Sequence, residues 1–113
     1  MAPEWVAVCR LDELDVDRGA AALVHGQAVT VFRTAAGGLH VIGNRDPLQP
    51  ALSLARGTVG RRGDVPFVAL PRHRRAFDLR AARCLDDPQV AVPAYDVRLV
   101  DGVVLVGRRL PRP

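Results

Sequence analysis

The sequence predicts an all-β domain, either an antiparallel sandwich or a small barrel. Short runs rich in Val, Ile, Leu and Phe alternate with Gly, Pro and Asp turn residues along most of the chain. The 10 glycines and 9 prolines among 113 residues leave little room for a long helix. Hydrophobic residues make up 49% and charged residues 25%, which is typical of one globular domain.

Two hairpins stand out among the predicted strands. Gly37-Gly38 separates one pair of strands, and Asp101-Gly102, a strong signal for a two-residue hairpin turn, separates another. The segments Asp17–Val24 and Asp46–Arg56 are each predicted to hold no more than one turn of helix. The predicted strands are Trp5–Arg10, Gln27–Arg33, Leu39–Gly43, Phe67–Leu70, Ala76–Leu79, Val97–Val100 and Val103–Val106.

The segment 44–85 differs in composition and in hydrophobic patterning from the strands around it. It is richer in Arg, Pro and Asp and poorer in regular alternation, so we interpret it as a loop-rich insertion carried by the β scaffold. We expect functional residues there, because a rigid sheet positions exposed loops. Residues 1–107 are predicted to form a single domain, and residues 108–113 a flexible tail with Arg and Pro residues.

The lack of an apolar span and of a secretory signal predicts a cytoplasmic protein. No apolar run approaches the roughly 20 residues that span a bilayer, and the first residues lack the pattern of a secretory signal. We therefore expect no membrane partner. Cys9 and Cys84 are too far apart in sequence to suggest a disulfide framework or a zinc motif, and we expect them to be reduced and buried.

No residue pattern predicts a self-contained active site. Ser53, the single serine, lies outside any nucleophile elbow, and the histidines are too dispersed to suggest zinc. Asp86-Asp87 is interpreted as a turn before Pro88. The formal net charge of +4 allows a nucleic-acid surface, but aromatic residues make up only 4%, and Phe67 and Phe77 are predicted to be core residues. An acidic protein partner for the arginines is favoured over nucleic acid.

Two segments of the insertion resemble the cluster-binding loops of Rieske-type proteins. The first reads Asn44-Arg45-Asp46-Pro47-Leu48, and the second reads Leu70-Pro71-Arg72-His73, with Phe77-Asp78-Leu79 after it. The resemblance implies a Rieske-like antiparallel fold in which 44–85 is the former cluster-binding region. A Rieske [2Fe–2S] cluster needs two cysteines on one iron and two histidines on the other.

The positions that match the ligands are Asp46, Leu48, Leu70 and His73. Leucine offers no lone pair to iron, so the resemblance implies a domain that has lost its cluster, with no metal or other cofactor of its own. We expect Leu48 and Leu70 to meet across the former site. We also expect Asp46 to find a partner, with His73 or Arg45 as the nearest candidates.

The whole set of motifs resembles the small subunit of assimilatory NAD(P)H-dependent nitrite reductase. These motifs are IGNRDP at 42–47, VPFVALPRHRRAFDL at 65–79, RCLDDPQVAVPAYDVR at 83–98 and DGVVLV at 101–106. The resemblance implies a non-catalytic subunit beside a large subunit that holds FAD, a 4Fe–4S cluster and siroheme and reduces nitrite to ammonium. The expected docking residues are Arg45, Arg72, His73, Arg74 and Arg75.

Two other functions stay open. One is a basic small barrel that binds nucleic acid, and the other is a protein that serves a different redox partner. A Rieske-type ferredoxin is disfavoured, because Asp46, Leu48 and Leu70 replace three of the four ligands.

Overall fold

A computed structural model describes residues 4–47, 49–70 and 75–111. Within them the chain forms strands, two short 3₁₀ turns and loops, and none of these residues lies in an α-helix. The described part contains no helix long and apolar enough to cross a membrane. The 3₁₀ turns are Leu11–Glu13 and Leu54–Arg56. The strands are β1 (Val6–Arg10), β2 (Gly19–Val24), β3 (Gln27–Arg33), β4 (Leu39–Gly43), β5 (Arg45–Asp46), β6 (Gln49–Ser53), β7 (Thr58–Arg62), β8 (Val65–Ala69), β9 (Ala76–Asp78), β10 (Ala94–Val100) and β11 (Val103–Arg109).

Six strands form one large antiparallel sheet in the order β1-β11-β10-β4-β3-β2. This sheet curls into a nearly closed barrel and confirms the predicted all-β, Rieske-like class. Two small antiparallel sheets, β5-β6 and β7-β8-β9, come from the segment between β4 and β10.

Strands β3 and β4 are covered on both faces, which explains their nearly continuous apolar sequences. Val31 and Val41 point into the barrel, where they pack with Val104 and Val106. On the other face, Phe32 and Ile42 pack with Leu54, Val68, Phe77 and Cys84. The fold therefore has two cores that share these two strands as a common wall.

Both predicted hairpin turns are present. Gly37 has a φ of +91°, and the Thr34 carbonyl accepts from its amide at 2.9 Å. Asp101 and Gly102 have φ values of +52° and +77°, so both lie in the left-handed region that a type I′ turn needs. The strands Gln27–Arg33 and Leu39–Gly43 have the predicted bounds, and the 3₁₀ turn Leu54–Arg56 falls inside the predicted turn of Asp46–Arg56.

The turn of helix that Asp17–Val24 could have held is not formed. Gly19–Val24 forms β2, which pairs with β3 along its whole length from Gly19↔Phe32 to Val24↔Gln27. His25 and Gly26, with φ values of +49° and +77°, make the connecting turn. Three consecutive alanines favour a helix locally, but the pairing with a buried strand overrides that preference.

The insertion is more ordered than predicted. Within 44–85 the structure places five strands, including Thr58–Arg62, which has no counterpart among the predicted strands. Its edge position and the exposed Arg61 and Arg62 obscured the pattern, because only Val59 packs against the core. The sheet β7-β8-β9 is stable because Val68 and Phe77 are fully buried against the wall of the barrel.

The tail also begins later than predicted. Strand β11 continues to Arg109, which pairs with Tyr95, and the amide of Leu110 donates to the Ala94 carbonyl at 2.8 Å. The expected start at residue 108 is therefore wrong, because the last strand gains ladder hydrogen bonds from β10 through that point. Cys84 is buried in the core as predicted, whereas Cys9 is half-buried.

Gly57 provides a test of how closely the small sheet packs on its neighbours. A Cβ atom there would collide with Cγ2 of the buried Val68 and lie 3.0 Å from the Ala69 carbonyl oxygen. The φ of Gly57 is −73°, which alanine adopts freely, so only the steric clash would destabilise an alanine variant. We expect Gly57→Ala to lower the free energy of unfolding by about 1–3 kcal/mol in urea denaturation.

The matched control is Thr58→Ala at the exposed neighbouring position. It should change the free energy of unfolding by no more than about 0.5 kcal/mol. Equal stability of the two variants would show that the contact between the 3₁₀ turn and β8 is looser than the structure indicates.

Candidate functional site

The candidate site lies where the first loop, β5–β6, meets the second loop, which connects β8 to β9. The first loop starts at Gly43, whose amide donates to the Pro93 carbonyl at 2.7 Å. A Cβ atom on Gly43 would lie 2.8 Å from Cδ of Pro93, so the strand can pass this close only with glycine. This contact fixes the point at which the chain leaves the barrel.

Asn44 organises the base of the first loop. Its Oδ1 accepts hydrogen bonds from the Thr30 hydroxyl at 2.6 Å and the Ser53 hydroxyl at 2.8 Å. Its backbone amide donates to the Ala28 carbonyl, and its carbonyl accepts from the Leu54 amide at 2.7 Å. One side chain thus ties β3 to both ends of the first loop. In the sequence, the feature that points to this structural role is the place of Asn44 at the start of the Asn-Arg-Asp-Pro motif.

Asp46 is fully buried and forms an ion pair with the second loop. Nη2 of Arg75 lies 2.6 Å from Oδ2 of Asp46, and the Arg75 side chain is only 20% exposed. Asp46 thus has a charged partner, as expected, and among the described residues that partner is Arg75, which was not one of the two expected candidates. His73 lies outside the described residues, so its contact with Asp46 stays a prediction. Arg75 lies just ahead of β9, at the residue where that loop re-enters the sheet, so its guanidinium can reach back to the first loop.

The carboxylate of Asp86 holds the chain beside Arg75. It accepts a hydrogen bond from the Ala76 amide at 3.2 Å and lies 3.4 Å from Nη1 of Arg62. The Arg62 guanidinium also stacks over the Phe67 ring, 5.4 Å from its centroid. Asp86 therefore fixes the start of β9 and, through it, the backbone from which Arg75 projects. Asp87 forms the turn predicted before Pro88, with its carboxylate accepting from the Gln89 amide.

The other predicted site residues have different surroundings. Leu70 is 4% exposed and packs in the core with Val68 and Phe77. Arg45 is exposed. Leu48, Arg72, His73 and Arg74 lie outside the described residues, so the contact between Leu48 and Leu70 stays a prediction. Arg75 was expected to be a docking residue, but its buried Nε and its ion pair place it inside the loop junction.

Comparison with known proteins decides the family. The model of the Rieske-like [2Fe-2S] domain matches residues 4–107 of this chain. The chain is 33% identical over 102 residues to the NADH nitrite reductase small subunit of Salmonella typhimurium, covering 89% of this chain and 94% of that protein. The chain belongs to the Rieske-like domain family, among the nitrite reductase small subunits.

Two further relatives extend this result. A crystal structure from Mycobacterium tuberculosis, assigned as an NADH-dependent nitrite reductase small subunit, superimposes with a TM-score of 0.89 at 37% identity. The match covers 98% of this chain and 100% of that one. The chain is also 30% identical to part of the nitrite reductase [NAD(P)H] large subunit of Klebsiella oxytoca. That match covers 93% of this chain and 11% of the large subunit.

Two positions that the resemblance matches to cluster ligands, Asp46 and Leu70, lie among the described residues, and neither side chain is of the type that holds a [2Fe–2S] cluster. Leu70 has no donor atom, and its side chain is packed in the core. The carboxylate of Asp46 is already engaged by the guanidinium of Arg75. Such a cluster is held by thiolates and imidazoles. Within the ranges that the structure describes, no three His, Cys, Asp or Glu side chains are grouped so that they could hold a metal ion.

A cleft of about 270 Å³ lies on another side of the Rieske-like domain, between the Thr34–Gly38 turn and the β7–β8 hairpin. It is lined by His40, Arg61 and Arg80 among others. Burial lowers the pKa of His40 below its ordinary value, and Arg80 adds to this, whereas Asp78 opposes it. The imidazole is therefore neutral at pH 7, and the charges of Arg61 and Arg80 are each paired, with Asp64 and Asp78.

The Asp46–Arg75 pair should be the most important single ion pair for stability. Arg75→Met removes the guanidinium that contacts a fully buried carboxylate, and we expect it to lower the free energy of unfolding by about 3–5 kcal/mol. The control is Arg62→Met, which breaks a pair whose partners are 51% and 46% exposed. We expect that change to cost no more than about 1 kcal/mol.

A double variant separates charge from packing. Asp46→Leu combined with Arg75→Met removes both charges and should recover most of the stability lost in Arg75→Met alone, because no buried carboxylate then remains. If the double variant is as unstable as the single one in urea denaturation, the cost comes from lost packing and not from the ion pair.

His40 gives the Rieske-like domain a predictable pH dependence. Its pKa is lower in the folded chain than the value of about 6.5 expected when unfolded. The unfolded chain therefore binds a proton first as the pH falls, so stability present above pH 6.5 is lost below it. We expect the His40 ring signals to titrate below 6.5 in an NMR titration. A value at or above 6.5 would contradict the burial of the ring.

Proposed function

We propose that this chain is the cofactor-free small subunit of a cytoplasmic NAD(P)H-dependent nitrite reductase that reduces nitrite to ammonium in nitrate assimilation. The observation that carries the proposal is the match, at 33% identity and over 94% of its length, to an NADH nitrite reductase small subunit. The match therefore includes nearly the whole sequence of that small subunit and not one segment of it.

The proposal that the subunit holds no cofactor rests on the loop junction. An ion pair between Asp46 and Arg75 joins the two loops that a cluster joins in Rieske domains. A hydrocarbon side chain, Leu70, lies where the second loop would supply a thiolate. The junction is thus closed by protein groups, and electron transfer through this subunit is not part of the proposed function.

The chemistry is assigned to the partner. We propose that the partner is a large subunit carrying FAD, a 4Fe–4S cluster and siroheme, which together move electrons from NAD(P)H to nitrite. This chain then contributes surface and position. Arg45, exposed beside the buried Asp46, is part of the proposed docking surface with Arg72, His73 and Arg74 of the second loop. Arg75 supports that surface from inside by holding the two loops together.

The test is reconstitution. The large subunit encoded in the same genome is expressed with and without this chain, and nitrite-dependent oxidation of NADH and NADPH is measured. We expect the two chains to purify as one complex and the complex to turn over nitrite faster than the large subunit alone. A large subunit that neither binds this chain nor gains activity from it would refute the proposed function.

Two controls sharpen this test. Purified alone from iron-supplemented cells, the chain should show no visible absorption and no electron paramagnetic resonance signal of a reduced Rieske cluster. A stoichiometric [2Fe–2S] signal would refute the cofactor-free assignment while leaving the partnership intact. Arg45→Glu should weaken the complex, whereas Arg18→Glu, an equal change at another exposed arginine, should not.

A further inference from the structure

A second cleft lies at the end of the barrel where the two ends of the described chain meet. It has a volume of about 540 Å³. Glu4 lines it from the segment before β1, and Arg108 and Arg109 line it from the end of β11. His25 joins the turn between β2 and β3 to the segment before β1, because its Nε2 lies 3.2 Å from the Glu4 carbonyl oxygen.

The polar lining of this cleft is mainly basic. Arg108 and Arg109 are exposed, and neither forms an ion pair within the described ranges. Arg109 also lines an adjoining small cleft together with Arg83, which likewise has no ion pair there. Glu4 is the acidic residue in the lining of the cleft.

The base of the cleft is hydrophobic and rigid. Val24, Pro93 and Tyr95 line it together with Gly107. Gly107 is buried under the Trp5 ring, and a Cβ atom there would lie 3.0 Å from Cζ3 of that ring. Strands and ring contacts thus fix the shape of the cleft, and a partner side chain would find an aromatic and apolar base with a cationic rim, a combination common at protein interfaces.

The fused relative indicates which molecule lies near this cleft. In the Klebsiella oxytoca large subunit, a stretch matching 93% of this chain makes up 11% of one longer polypeptide. The rest of that polypeptide must connect to the domain through one or both of its ends. In the present fold both ends reach this cleft, through Glu4 and through Arg108 and Arg109. The connection to the rest of a large subunit therefore starts at the cleft in the fused form.

The cleft also adjoins the loop end of the domain. Pro93, which lines the cleft, accepts the hydrogen bond from Gly43 at the start of the first loop. Gln27, on another wall, precedes Ala28, whose carbonyl accepts from the Asn44 amide. One partner can therefore contact the loops and the cleft together.

We propose that this cleft, formed by His25, Tyr95, Arg108 and Arg109, receives an acidic segment of the large subunit. The inference rests on the proposed function, since it names a second contact surface for the same partner. The basic rim of the cleft favours an acidic segment, and the position of the chain ends indicates that this segment belongs to the large subunit. Removing a charge from an exposed rim of this kind mainly lowers the association rate and its dependence on salt.

The test measures the affinity of the full-length chain for the intact cognate large subunit by biolayer interferometry. Arg108→Glu combined with Arg109→Glu should raise Kd by about tenfold or more. The control, Arg18→Glu combined with Arg61→Glu, makes the same change in net charge at exposed residues outside the cleft and should leave Kd within about twofold. Should the reversed variant melt at a lower temperature, Arg108→Gln with Arg109→Gln replaces it, with the same direction of effect.

The outcomes separate this inference from the proposed function. If the wild-type chain binds the large subunit and both double variants bind equally well, the cleft is not a contact and the inference fails alone. If the wild-type chain does not bind, the proposed function fails with it. If the wild-type chain instead binds a single-stranded DNA oligomer as tightly as the large subunit, and only the cleft variant loses both, the assignment to an acidic protein segment is overturned.

Discussion

The buried ion pair between Asp46 and Arg75 is the constraint on which the loop end of this domain depends. It joins the first loop to the residue that precedes β9, across 29 residues of sequence. Burying a carboxylate that is 0% exposed is costly, so the guanidinium of Arg75 must be held close to it. Two further sets of contacts hold the two loops in position for this. Asn44 fixes the base of one loop, and Asp86 fixes the strand that starts beside the other.

The scaffold does not depend on this junction in the same way. The barrel core, with Val31, Val41 and Val104, involves neither loop. The second core needs the small sheet, but its largest buried side chains, Phe32 and Phe77, lie on strands and not on the loop tips. Both cores therefore pack through residues other than the Asp46–Arg75 pair, which joins the loops.

The parts that could be predicted from the sequence are those with local signals. The strands Gln27–Arg33 and Leu39–Gly43 were predicted exactly, because each is a compact apolar run beside a turn residue that needs positive φ. Strand β2 was not, since its alanines favour a helix and only its partner strand makes it extended. The match of Asp46 to a ligand position came from a motif. Its partner Arg75 was not among the expected candidates, because the spacing of the motifs does not show which of several adjacent basic residues turns towards the first loop.

The positions of the two proposed contact surfaces fit one partner better than two. Pro93 links them through its hydrogen bond with Gly43, so the first loop leaves the barrel at the wall of the basic cleft. A large subunit tethered or docked at the chain ends would thus meet the loop tips without any rearrangement of the domain. The Asp46–Arg75 pair then has a second consequence: by fixing the loops relative to the barrel, it fixes the distance between the two surfaces. A small subunit can contribute to catalysis in this way, by holding its partner in a single arrangement.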